Sequence, residues 1–229
     1  MTEQTGFVTN PAAAAAQGRA AWNESFAPVL TELRDVLGKR TPERIAILSG
    51  VEWHAGTSEF RFHWLQTPYR ITWPALVAFP ADDSTPCPAN TQGLFLYYLA
   101  TADGTPPAQR WIAFRELPDG WLYQQAFQGY TGHVLVQQLG DDTAALAAGC
   151  HATGGVPLEV GDCGYAFRVL PAVALAVVYW RGDDEFAPEA RILFDAAAPH
   201  YLSTDGLAIL GSHLVRQVLA HAHKGAVRS

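Results

Sequence analysis

The chain reads as α+β, a mostly antiparallel sheet packed with helices in a single domain, and three stretches carry that reading. Between Val51 and Trp73 bulky residues fall on alternate positions, with Phe60, Phe62 and Trp64 followed by Tyr69, Ile71 and Trp73, which is the period of a sheet with one apolar face. From Ala172 to Trp180, Val173, Leu175, Val177 and Tyr179 alternate with Ala172, Ala174 and Ala176, so a central strand is bulky on one face and nearly flat on the other. Leu207, Leu210, Leu214 and Val218 form a stripe at helical spacing.

The elements follow in order. Met1 to Asn10 is expected to be a frayed tail, and Trp22, Phe26, Val29, Leu30, Leu33 and Leu37 suggest one or two helices broken or kinked at Pro28. Thr41-Pro42-Glu43 predicts an N-cap, a proline in the first turn and an acid, hence a short helix from Pro42 to Leu48. In the meander, a first turn at Ala55 to Ser58 sets Glu52 against Arg61 and His54 against Glu59 on the polar face, with His63 beside them. The second turn at Gln66-Thr67 lacks the glycine or asparagine that tight hairpins prefer. A buried helix is expected over Thr91 to Ala102, a short strand over Trp111 to Phe114 and a helix over Tyr123 to Leu139 weakened by Gly129 and Gly132. Asp141 or Asp142 caps a further helix that stops at Gly154-Gly155. Leu158 to Val160 and Cys163 to Leu170 form a hairpin leading into the central strand, Ala190 to Asp195 returns from it, and Ser203 or Thr204 caps the last helix. The expected organisation is a tail and helical appendage over 1–40, an α+β core domain over 41–222 and a tail over 223–229.

A net charge of −7 with only two lysines, Lys39 and Lys224, leaves no electrostatic footprint for nucleic acid or an anionic membrane. No window approaches the length of a membrane span and no basic leader precedes an apolar run, so a cytoplasmic location is expected. Cys87, Cys150 and Cys163 show no CxxC spacing and suit independent reduced thiols.

Three groups of residues are candidates for a site. Trp111, Phe114, Trp121, Tyr123, Phe127 and Tyr130 surround Arg115 and Glu116, a set suited to stacking a flat ligand while the guanidinium holds its carboxylates; the same set also suits an aromatic core covered by an arginine. Arg181, Asp184 and Glu185, with Asp183, stand at the end of the central strand, where they can meet a metal or cationic ligand or simply solvate a turn. His54, Glu59 and His63 share the polar sheet face, where two imidazoles and a carboxylate can ligate zinc or iron, or face water as ordinary polar residues. His213, Gln217 and His221 read as a solvated helix face. No P-loop, dinucleotide fingerprint or nucleophile elbow occurs.

Two phrases carry a resemblance. One is Trp111-Ile112-Ala113-Phe114-Arg115-Glu116-Leu117-Pro118-Asp119-Gly120 with Tyr123 and Ala126-Phe127. The other runs from Val169-Leu170-Pro171 through Trp180-Arg181-Gly182-Asp183-Asp184-Glu185-Phe186 to Phe194-Asp195 and His200-Tyr201-Leu202. Together they resemble the domain of unknown function 3786 family of bacteria and archaea, over about Thr41 to Leu219. The resemblance brings no established activity. Members are common in anaerobes and some carry an appended iron-sulfur cluster domain, which implies redox, corrinoid or metal-cofactor metabolism; this chain lacks the cysteine cluster such a centre needs.

The expected function is a soluble accessory protein that binds a cofactor or small molecule, a tetrapyrrole, corrinoid or other metal-bearing cofactor among them. The alternatives are a small-molecule enzyme using Glu116 with Asp184 or Glu185 as acid and base, and a subunit of a larger assembly or homo-oligomer.

Overall fold

Residues 28–226 are described by a computed structural model. The expectations for the first 27 residues lie outside them. Helix α1 occupies 28–38 and buries Leu30, Leu33 and Leu37 in the common core, so its apolar face belongs to the domain it precedes. Helix α2 (Pro42–Ser49) starts as its sequence predicts, with Thr41 Oγ1 accepting from Arg44 N at 3.3 Å and Pro42 in the first turn.

The first sheet is a four-stranded meander of β1 (Glu52–His54), β2 (Glu59–Trp64), β3 (Thr67–Thr72) and β4 (Ala78–Pro80), paired in that order. Its register is the one the charge pattern predicts, Glu52 opposite Arg61 and His54 opposite Glu59. The tight turn between β2 and β3 manages without glycine because Leu65 itself takes φ 52°. Strand β4 is only three residues long and ends on Pro80, so period-two patterning does not reveal it. Helix α3 (Ala89–Thr101) closes the apolar face: Phe95 meets Phe62, Trp64 and Tyr69 edge-on, with ring centroids 4.9, 5.4 and 4.9 Å away.

The second sheet has the order β5 (Trp111–Ala113), β9 (Glu189–Asp195), β8 (Val173–Trp180), β7 (Cys163–Leu170), β6 (Val156–Leu158), antiparallel throughout. Strand β8 is central, as its composition predicts: Leu175, Ala176, Val177 and Val178 are fully buried. Helices α4 (Gly120–Tyr130), α5 (Gly132–Leu139) and α6 (Thr143–Ala152) lie in sequence between β5 and β6, and α7 (Thr204–Ala226) follows β9. The expected single helix over 123–139 is two, because Thr131 at φ −125° and ψ −87° breaks it and Gly132 has the Ala190 carbonyl 2.1 Å from where a Cβ would stand. The sheets are joined where Leu65 N donates to Val169 O at 2.9 Å, and one continuous hydrophobic cluster spans both. The fold is a single α+β domain built on two open antiparallel sheets.

Candidate functional site

Strand β2 ends at Trp64, the last of its three inward residues, beside α7. The Leu207–Leu210–Leu214–Val218 stripe fixes the rotation of α7, and His213, one position off that stripe, points toward β2. The two rings stack with centroids 3.9 Å apart and planes 28° apart. Burial, with a smaller contribution from the charge of Arg216 one turn on, pushes His213 down from the usual 6.5 to about 4, so the imidazole is neutral near pH 7. Trp64 is 7% exposed, and its indole Nε1–H is buried without a hydrogen-bond partner among the described residues.

These rings form one wall of an open cavity of about 940 Å³ bordered by α1, α3, α7 and the β2–β3 hairpin. Tyr69, Tyr97 and Tyr130 widen its aromatic lining, and Val29, Leu33 and Leu94 its aliphatic one. Two charged residues of α7 reach it: Asp205 in the first turn and Arg216 further along. Their separation of 11 positions places them about 16 Å apart along the axis. Neither makes a hydrogen bond or ion pair within the described residues; Asp205 raises the pKa of Tyr130, whose burial acts in the same direction more strongly.

The aromatic pocket expected around Arg115 is closed. Phe114 and Phe127 are buried and stack on each other at 4.0 Å and 10°, with Phe194 against both, leaving no slot between them. Trp111 is half-buried on the edge strand and Tyr123 stands exposed on α4. Glu116 Oε2 accepts from Ala113 N at 2.7 Å, capping its own turn. Arg115 borders a cavity of only about 90 Å³ together with Glu189 and Arg191, well below the roughly 300 Å³ at which small-molecule sites begin.

The Arg181 group is a separate surface turn. Arg181 Nη2 donates to Thr143 Oγ1 at 2.7 Å and its backbone N–H to Asp162 at 2.8 Å, tying the β8–β9 loop to the start of α6 and to the turn before β7. Asp183 Oδ1 accepts from Glu185 N and Phe186 N, an Asx turn, while Asp184 and Glu185 face water.

The polar face of the first sheet assembles no metal centre. Both oxygens of Glu59 are taken, one by Arg61 at 3.0 Å and one by Arg70 at 3.1 Å; burial works to raise its pKa, but the bonds from Arg61 and Thr57 and the two arginine charges hold it low. His54 pairs with Glu52 at 3.3 Å, and His63 lines a polar recess with Arg61 and Arg168, whose charges oppose a cation. Among the described residues no group of three or more His, Cys, Asp or Glu is placed to hold a metal ion. The three cysteines are free thiols, and burial pushes Cys150 far above its ordinary value.

Other motif residues serve the scaffold. Asp195 accepts from Ala108 N, Gln109 N and Ala197 N, and the Tyr201 hydroxyl donates to Thr105 O, so the Phe194-Asp195 and His200-Tyr201 phrases hold the 103–110 loop. Gly120 is required because a Cβ there would lie 1.9 Å from Phe114 O.

Sequence reasoning placed Trp64 on an apolar sheet face and His213 on a solvated helix face, and missed that they meet. The available signal was the position of His213 next to Leu214 and one turn from Leu210, which puts it at the border of the buried stripe.

The fold and cavity define a two-sheet α+β protein with an aromatic cleft between its last helix and its first sheet. Residues 41–217 match the family described as a domain of unknown function (DUF3786), and the chain belongs to that family. No curated protein and no solved structure matches it. Trp64, Tyr69, Asp205, His213 and Arg216 all fall within the matched segment. No helix among the described residues is long and apolar enough to cross a membrane.

Proposed function

We propose that this chain is a binding or accessory protein for a flat, largely apolar small molecule held in the cavity between α1, α3, α7 and the first sheet. The observation that supports it is the cavity wall itself, where stacked Trp64 and His213 line about 940 Å³ of space together with Tyr69, Tyr97 and Tyr130. Small-molecule sites span about 300–1,000 Å³ and combine apolar walls with a few convergent polar groups. A tetrapyrrole or corrinoid belongs to the upper end of that size range. His213 is the one histidine on the described cavity wall, and its neutral imidazole is the group that would hold such a cofactor's metal. Bound there, the cofactor would supply redox or ligand-exchange chemistry.

The test is retention of ligand by the purified protein. Visible absorbance and metal content are recorded after expression, and thermal shifts are then measured with haemin, a corrinoid and smaller planar aromatics. Ala208→Trp, which fills the cavity from α7, should abolish every shift that Arg115→Ala leaves intact. Shifts that survive Ala208→Trp would remove this cavity from the reading.

A second reading, a subunit of a larger assembly, draws on α4, where neighbouring Trp121, Leu122 and Tyr123 are 70%, 55% and 58% exposed. A monomer at all concentrations in sedimentation, with and without Trp121→Ser, counts against self-association through that face.

A further inference from the structure

We infer that α4 pairs with α4 of a second copy of this chain, the two helices antiparallel and related by a two-fold axis, with Leu122 of each copy seated over Gly129 of the other. The inference rests on the second reading above, that α4 is an association face, and names the partner and the register.

The side chains of α4 carry it. Gly120 and Phe127 turn inward and are buried, so the helix is packed on one side only. On the opposite side Leu122, Gln125, Ala126 and Gly129 are exposed. Leu122 and Gly129 stand seven positions apart, close to two full turns, and so share one line of the outer face about 10.5 Å apart. One is a knob, 55% exposed. The other is a notch, since a Cβ at Gly129 would meet nothing within 4 Å. A helix that carries a knob and a notch on one line is complementary to its own antiparallel copy, because reversing it brings knob to notch at both ends at once; this is the isologous contact of a two-fold dimer. In that register Ala126 lies beside Ala126 of the second copy, where a single methyl group lets the helices approach. Tyr123 of one copy lies on the same flank as Tyr130 of the other, within reach of a ring contact.

Charge permits the pairing. Between Asp119 and Asp141 the chain has no aspartate, glutamate, lysine or arginine, so two chains of net charge −7 meet through α4 without setting like charges against each other. A strongly basic partner would find no acid on this face to pair with.

Area sets the strength. Trp121, Leu122, Tyr123 and Tyr130 are 70%, 55%, 58% and 45% exposed, which together offers roughly 500 Å² of side-chain surface per copy, or roughly 1,000 Å² for the pair. That lies at the lower end for a specific interface, so the dimer is weak and exchanging, with a Kd on the order of 10–100 µM.

Sedimentation velocity on the full chain from about 1 to about 500 µM should show a monomer passing into a dimer over that range. Leu122→Ser removes the knob and Gly129→Gln fills the notch with a good helix former, and each should raise the Kd about tenfold or more. Ala55→Ser, in the exposed turn between β1 and β2, should leave it unchanged. Ala126→Cys should give a disulfide-linked dimer under oxidised glutathione, and Ala55→Cys should not. Melting temperatures at the lowest concentration confirm that each variant is folded. A chain that stays monomeric throughout would overturn the self-pairing and leave α4 to a partner of another sequence. A dimer that ignores both Leu122→Ser and Gly129→Gln would overturn this inference and the second reading together. A dimer that both substitutions abolish, but that Ala126→Cys does not cross-link, would overturn the antiparallel register and leave α4 standing as the association face.

Discussion

The Trp64 indole and the His213 imidazole lie 3.9 Å apart and 28° from parallel, so β2 and α7 meet through two flat rings rather than through aliphatic packing. A protonated imidazole is disfavoured there by burial and by Arg216; of the groups lining the same cavity, Tyr69 and Tyr130 are pushed up by burial and bring no negative charge near neutral pH, and Asp205 stands in the first turn of α7. The folded pKa of about 4 lies below the ordinary 6.5, so between those values the unfolded chain binds a proton that the folded chain does not. The stability due to neutral His213 is therefore complete above about pH 6.5 and is lost as pH falls toward 4. Denaturant midpoints measured from pH 7 to 4.5 should fall, and His213→Gln should fall less steeply. Glu59 and Asp103, held below their ordinary 4.5 and 3.8, act in a lower window and leave this comparison undisturbed.

Tyr98 joins three segments through one hydroxyl. It donates to Ser49 O at the end of α2 and accepts from Ala172 N at 3.0 Å in the turn before β8, and burial pushes its pKa far up. Tyr98→Phe leaves the buried Ser49 carbonyl unpaired, a loss of about 1–3 kcal/mol, and frees the part-buried Ala172 N–H to water. Equilibrium unfolding should register a loss in that range; a loss under about 0.5 kcal/mol would mean that water replaces the hydroxyl.

Most of the fold was legible because the residues that build it repeat. The β1–β2 register followed from three facing pairs whose charges and apolar faces agree. Strand β8 followed from its alternation, and α7 from its leucine stripe. Strand β4 and the break at Thr131 were not legible, since one is three residues long and the other answers to a carbonyl from β9. The candidate site was less legible still. Arg115 and the acids after Arg181 stand out along the sequence because they are clustered, whereas Trp64 and His213 are separated by nearly 150 positions and meet only through the packing of α7 on the first sheet. Clustering in sequence marked turns; the cavity arose from tertiary contact.

Gly149 sets the closeness of α6 and α7. A Cβ there would lie 2.4 Å from Val218 O and 3.0 Å from Ala222 Cβ. Alanine ordinarily gains about 1 kcal/mol over glycine inside a helix, but here it must push a backbone carbonyl away. Gly149→Ala should lose about 1–3 kcal/mol. Gly129 on α4 has open space around it and supplies the contrast, with Gly129→Ala gaining about 0.5–1 kcal/mol. Thermal melts of the two variants should move in opposite directions, and two shifts of the same sign would contradict the close approach at Gly149.

Asp195 holds the segment before β5 in a conformation that the chain would not adopt alone. Its Oδ1 accepts from Ala108 N at 2.9 Å and Ala197 N at 2.8 Å, and its Oδ2 from Gln109 N at 2.8 Å, where Gln109 takes φ 54°. A buried carboxylate gathering three backbone donors is a strong fixture, since hydrogen bonds to a charged group are each worth about 1.5–3 kcal/mol. Asparagine keeps one oxygen but turns an NH₂ toward a donor, so Asp195→Asn should cost about 2–3 kcal/mol and open the 103–110 loop to proteolysis. The same loop is also tied on its outer side, where His200 Nδ1 meets Asp103 at 2.8 Å with both side chains about half exposed. That exposed pair is screened by water and contributes little, so Asp103→Asn should leave the melting temperature nearly unchanged. Protease sensitivity of the loop in both variants separates the inner fixture from the outer one: cleavage that rises with Asp103→Asn and not with Asp195→Asn would reverse the assignment.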